Sequence, residues 1–345
     1  MKGSAPRRSK HRAAAILCAL ALVAALPVAP GQAARAANGP VAEASRLFDT
    51  GDYQQAITLL RGVVAQDMGR ADAHYWLMRC YFELGNWDQA IASAERALEF
   101  ASNESDYHLW LGRAYGRKAE HAGMFSAFSL AKKTRQQFEE AVRLNPSNLS
   151  ARRDLIEFYF SAPGIVGGGE DKAQRQIEEL SRLDPVEAHL ARAQFYADKR
   201  KTELAEPEYR QVLAAQPRRV KPYYEIADFY LARPDAARVE EAVERAARVD
   251  PRDPQLNFYR GVARVLAGSR LAEAEQMLRM YLSMVPNRSD YASHSAAHHW
   301  LGRLYARQGK CDAAGDEYRQ AIKLDSNNKN AQQALRGLKN CANPK

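Results

Sequence analysis

Two helical stripes of apolar residues separated by a glycine corner recur along this chain. In residues 71–104 the first stripe carries Trp76, Leu77 and Tyr81 and ends in Leu84-Gly85-Asn86-Trp87. The second stripe, Ala90, Ala94, Ala97 and Leu98, follows at once. Apolar residues three and four apart lie on one side of a helix, so each stripe predicts a helix with one buried face. Gly85 supplies the left-handed conformation that a short helix–helix corner needs, and Asn86 stands where a side chain caps the second helix. Thirty-four residues earlier the corner is Thr50-Gly51-Asp52-Tyr53, followed by Ala56-Ile57, Leu60 and Val63-Val64.

The pattern continues to the far end of the chain. Trp110-Leu111-Gly112 with Tyr115, and then Phe138, Ala141-Val142 and Asn145-Pro146, form a third unit. Residues 118–134 make it about ten residues longer than a 34-residue period requires, with Gly123 as the expected corner. A fourth unit (Leu155-Ile156, Tyr159, Ala173, Ile177, Leu180, Asp184-Pro185) carries a second insertion at 162–169, rich in glycine. Further units centre on Ala193 and Tyr196, on Ala227 and Tyr230, on Gly261, and on Trp300-Leu301-Gly302 with Tyr305. The seventh has Arg264 where the others place an aromatic residue, and a polar linker at 287–295 separates it from the eighth. Residues 329–340 form a last, polar-faced helix.

This spacing resembles the tetratricopeptide repeat, a helix–turn–helix of 34 residues with small, aromatic and proline residues at fixed places. The resemblance covers residues 40–340. It implies an all-α fold, a right-handed superhelical α-solenoid of about eight repeats over 37–340, in which 329–340 caps the array and each repeat is sealed only by its neighbours. The small residues let paired helices approach closely, and proline ends the second helix of a pair. The resemblance implies protein or peptide binding on the concave face without catalysis, and says little about which partner.

Charge and the first residues refine this picture. The 345-residue chain has a net charge of +9, but residues 1–36 carry six basic residues and no acid. Without them 44 basic residues face 41 acidic ones, a net of +3 that is no nucleic-acid signature. The basic start, the apolar run Ala13 to Leu26 and the small-residue site Ala34-Arg35-Ala36 read as a cleaved secretory signal peptide. That run falls short of the roughly 18 residues expected of a membrane span, so none is expected after cleavage. Arg7-Arg8 lacks the apolar residues of a twin-arginine signal, and Cys18 is misplaced for a lipoprotein site. A periplasmic or secreted protein is the expectation, its oligomeric state open.

In an oxidising compartment Cys311 and Cys341 become informative. Each sits at the outer end of one of two helices of similar length joined by Ser326-Asn327-Asn328, so an antiparallel hairpin brings them together as a disulfide.

On the first helices, matching repeats places Tyr75, Arg79, Phe82, Arg113, Arg153 and Phe160 toward the groove. Arginine with interleaved aromatics suits an acidic or carboxylate-bearing segment. Acids share the face, however, among them Glu83, Glu157 and Asp228. The lysine/asparagine carboxylate clamp of some tetratricopeptide repeat domains is absent, since Val41 and Ser45 stand at its first places. The two insertions are expected to pack on each other as a hydrophobic lobe of Met124, Phe125, Phe128, Ile165 and Val166, which otherwise becomes a docking surface for an envelope assembly or secretion complex.

Catalysis and cofactors find no support in the motifs. Gly164 to Lys172 does not match a phosphate-binding loop and follows no strand. His294 and His298 stand four apart on one helical face but lack further metal ligands except Asp290. A hydrolase using His121 or the glycine loop is the remaining, weakest alternative, and no cofactor is expected.

Overall fold

The computed structural model describes residues 39–338. Among the described residues every element is helical. Eight helix pairs follow one another: α1 (Pro40–Thr50) with α2 (Tyr53–Gln66), α3 (Ala71–Glu83) with α4 (Trp87–Phe100), α5 (Ser105–Glu120) with α6 (Met124–Leu144), and α7 (Leu149–Ser161) with α8 (Glu170–Leu183). Then come α9 (Pro185–Asp198) with α10 (Thr202–Ala215), α11 (Lys221–Leu231) with α12 (Ala236–Val249), α13 (Gln255–Ala267) with α14 (Leu271–Met284), and α15 (His294–Arg307) with α16 (Cys311–Leu324). The final helix, α17 (Lys329–Gly337), packs on α16 and α15. The expected signal segment, 1–36, and Cys341 lie outside the described residues.

Close approach within each pair depends on a missing side chain. A Cβ on Gly112 would stand 2.6 Å from the ring of Phe138, one on Gly302 2.4 Å from Tyr318, and one on Gly261 2.9 Å from Leu278. The corners at Gly51, Gly85 and Gly309 all have positive φ, which a residue bearing Cβ adopts only with strain. Asn86 departs from expectation: it occupies the N-cap position, but its side chain accepts no bond from the helix. Asn148, Asp184, Asp235, Ser293 and Asn328 do provide side-chain caps.

First helices also touch the first helix of the next repeat, as α3 touches α5 and α7 touches α9. This closer packing of the inner layer makes the inner side concave. The buried residues divide into two clusters, and the boundary falls on α9, where Ala188 and Ala191 join the first and Leu190 and Ala193 the second.

The insertion at 118–134 lengthens both helices of its pair, α5 to 16 residues and α6 to 21, and Gly123 stands at the corner as the N-cap of α6, in an extended conformation. One expectation is corrected here. The predicted lobe does not bury itself. Val166 is inside and Gly167 packs on Arg135, so the two insertions do meet. Phe125 is nevertheless 90% exposed, Met124 71%, Ile165 72% and Phe128 37%. The meeting point is near Arg135, some ten residues or about 15 Å along α6 from Phe125, which is why the tip stays uncovered.

Repeats do not touch only their neighbours. Residues 286–292, between the seventh and eighth pairs, reach across to the first two. Pro286 packs on Gly51, Tyr53 Oη donates to the Asn287 carbonyl at 3.3 Å, and Arg288 pairs with Asp49 at 3.2 Å. Ser289 donates both its N–H and its hydroxyl to the Glu83 carboxylate, each at 2.8 Å. This strap closes the groove at one point along its length.

Candidate functional site

The residue that follows the close-approach position holds one register on each first helix, facing the inner groove in the second to sixth repeats and buried at Val262 in the seventh. From the second repeat to the eighth these residues are Arg79, Arg113, Glu157, Gln194, Asp228, Val262 and Arg303. The first five line three cavities along the groove.

The first cavity, about 720 Å³, lies between the second and third repeats and the strap. Its wall is aromatic: Phe82 meets Trp87 and Trp110 edge-on, with centroids 5.3 and 5.2 Å away. Arg79 lies over Trp110 at 3.9 Å and over Phe48 at 4.7 Å, and donates to Tyr75 Oη at 3.1 Å. Its buried Nε has no hydrogen-bond partner. Arg117, Lys221 and Arg288 add positive charge around the rim, against Glu83 and Asp290. Burial raises the Glu83 carboxyl above its usual range even though the two Ser289 bonds pull it down.

Two smaller spaces, about 230 and 700 Å³, continue along the fourth to sixth repeats and share Arg153, Glu157, Gln194 and Asp198. Phe160 stacks on Phe195 with centroids 3.8 Å apart and forms the apolar wall. Arg153 bridges Glu187 at 3.3 Å and Glu225 at 2.9 Å. Burial alone would lower its pKa, but the two carboxylates outweigh that and hold it above the usual value. Glu157 and Asp228 have solvent access through the open groove yet are ringed by protein. Burial raises both carboxyls, Asp228 to about 7 despite its bond from Tyr259, with Glu225 adding to the shift.

The sequence-predicted residues therefore divide. Arg79 and Phe82 meet in the first cavity, with Tyr75 behind them, stacked on Tyr107 at 4.9 Å. Arg113 reaches the same cavity but is held by both oxygens of Asp154, at 2.6 and 3.3 Å. Arg153 and Phe160 lie in the middle spaces, where Arg153 is fully paired. Gln194 and Phe195 were missed, although Gln194 follows Ala193 as Arg113 follows Gly112. The strap residues gave no signal, because nothing in a polar linker states where it docks.

The histidines are structural. His108, His189 and His298, at matching places, bond through Nδ1 to Gln137, Glu208 and Glu317, each at 2.6 Å. His294 Nε2 meets the Val285 carbonyl at 2.7 Å, so the His294/His298 pair is committed to the fold. His121 bonds the Arg117 carbonyl at an exposed corner.

The arrangement is that of a helical-repeat scaffold: a preformed groove with aromatic walls and alternating charge. Three stretches match sequence families described as Tetratricopeptide repeat, over residues 47–113, 224–289 and 295–328. The chain belongs to the tetratricopeptide repeat proteins. No curated protein matches the sequence. Human IFIT1, solved as a dimer with m7Gppp-AAAA, has the same fold, with a TM-score of 0.50 at 19% identity over 86% of this chain and 71% of that one. A tetratricopeptide repeat protein from Parabacteroides merdae aligns at TM-score 0.47 and 14% identity, over 78% of this chain and 99% of its own.

Proposed function

We propose that the protein is a non-catalytic interaction scaffold whose groove seats an extended segment of a partner protein. The observation that carries this reading is the run of Arg79, Arg113, Glu157, Gln194 and Asp228 at one register, lining cavities beside the stacked aromatics. A preformed groove lowers the ordering cost of binding, and its paired charges fix direction more than affinity. The partner segment has an acidic residue for the Arg79 end and a basic residue for Glu157 and Asp228. The IFIT1 structure holds m7Gppp-AAAA, but here the middle space mixes four acids, Glu157, Asp198, Glu225 and Asp228, with Arg153, Arg200 and Arg233, and such mixed charge favours a protein segment over a phosphate backbone.

Fluorescence anisotropy with extended peptides of acidic, basic and mixed charge tests the reading. Peptides of mixed charge should bind best in one order, and Glu157→Lys with Asp228→Lys should remove that preference. Equal binding of all charge orders, or none, overturns it.

Export belongs to the same proposal: residues 1–36 are removed and Cys311 pairs with Cys341 outside the reducing cytosol. Intact-mass measurement from the native host should give a chain starting at Ala37 and two hydrogen atoms lighter than its reduced form.

A further inference from the structure

The α5–α6 hairpin does something the repeat pattern does not require. Its helices are 16 and 21 residues long, against 11 to 14 in the other seven pairs, so its tip stands clear of them. Met124, Phe125 and Phe128 occupy one face of the first turns of α6. Side chains on a helix lean toward its N-terminus, which here is the tip, so Met124 and Phe125 project outward from the corner. Ser126 and Ser129 lie on the flank. Phe125, at 90% exposure, is the most exposed large apolar residue among those described.

The charge around this tip is one-sided. Between Arg117 and Arg135 stand five cations, Arg117, Lys118, Lys132, Lys133 and Arg135, and a single acid, Glu120, which pairs with Arg117. Lys118 is paired with Asp88 and Arg135 with Glu139 at 3.4 Å, and Lys133 lies over the Tyr115 ring at 5.0 Å. Lys132 has no ionic partner among the described residues. Lys132 and Lys133 lie seven to nine residues from Met124 and Phe125, about 10–14 Å along the helix. That offset matches an apolar tip entering the acyl boundary by about 5–10 Å while lysines reach the headgroups.

We infer that this hairpin tip docks on the surface of an anionic lipid bilayer, inserting Met124 and Phe125 among the acyl chains while the surrounding lysines and arginines meet lipid phosphates. A bilayer supplies both phases to a convex tip, whereas a protein partner would have to present a pocket for it. The contact is peripheral, because no helix among the described residues is long and apolar enough to cross a membrane.

The full chain carries a second apolar stretch near its start, so the test must read the tip itself. Phe125→Trp should show a blue-shifted emission, quenched by brominated acyl chains, on vesicles of equal phosphatidylcholine and phosphatidylglycerol, but not on phosphatidylcholine alone. Met124→Ser with Phe125→Ser should weaken vesicle binding about thirtyfold, from the loss of buried apolar area. Lys132→Glu with Lys133→Glu should weaken it at least about tenfold, on anionic vesicles only. All these sites are exposed, so melting temperatures should not move. Vesicle binding that leaves the emission of the introduced tryptophan unchanged places the contact elsewhere and overturns the inference. So does the absence of vesicle binding, or a dimer in sedimentation that Met124→Ser with Phe125→Ser dissolves.

Discussion

The second and third repeats and the fourth to sixth repeats use one backbone register for opposite electrostatics. Arg79 and Arg113 stand where Glu157, Gln194 and Asp228 stand a few repeats later. In the first region both arginines lie on the Trp110 ring; Arg113 also has the Asp154 carboxylate, while Arg79 rests on aromatic rings in place of one. In the second the groove cation Arg153 is held by two carboxylates, while Glu157 and Asp228 form no ion pair among the described residues. The lesson is that the helices hold position while side chains at one register set the sign of each stretch, which gives the groove a direction. The strap adds a second difference, since it crosses only the first region.

The largest effect expected is from Arg153→Ala, which takes the shared cation from Glu187 and Glu225, leaves them only the more exposed Arg219 and Lys221, and should cost about 3 kcal/mol. A melting temperature that stays put would mean the middle region is not organised by that pair. Gly112→Ala attacks the equivalence of the backbones, because its Cβ would meet Phe138 at 2.6 Å. A loss of roughly 2 kcal/mol in denaturant titration is expected. Tolerance without loss would show that the helices of that pair are not held by close approach.

Glu83→Gln removes one of the two acceptors that hold Ser289, and should cost about 1 kcal/mol. Faster hydrogen exchange at the Ser289 amide is the specific sign that the strap has loosened. Unchanged exchange would separate the strap from the first region.

The smallest effect sharpens the comparison through pH. Burial raises the Asp228 carboxyl to about 7, so the folded chain binds that proton more tightly than the unfolded one. Its contribution to stability is present at acidic pH and is lost as pH rises through about 7. Binding of a lysine-bearing peptide should run the other way and strengthen across the same window, as the charge appears. Asp228→Asn should flatten both profiles, and a binding profile that keeps its slope would move the titrating group elsewhere.

Much of this was legible in the residues. The placement of Gly112, Gly261 and Gly302 against large partners, and the acids at Glu157 and Asp228, could be read from spacing. The pairing of Arg113 with Asp154 and of Arg153 with Glu225 could not, because each bond crosses from one repeat to another and depends on the rotation between them. The same holds for Phe195, which gains its role by stacking on Phe160 of the preceding repeat.

By itself the sequence determined the paired helices and their order, since apolar spacing, corner glycines and close-approach residues all act within one repeat or between adjacent ones. Only the tertiary structure decided that residues 286–292 would close on the first two repeats, that the tip of α6 would stay uncovered, and which groove charges would remain unpaired. Those outcomes join residues as far as 239 positions apart. They depend on the accumulated twist of many small inter-repeat rotations, which no local pattern encodes.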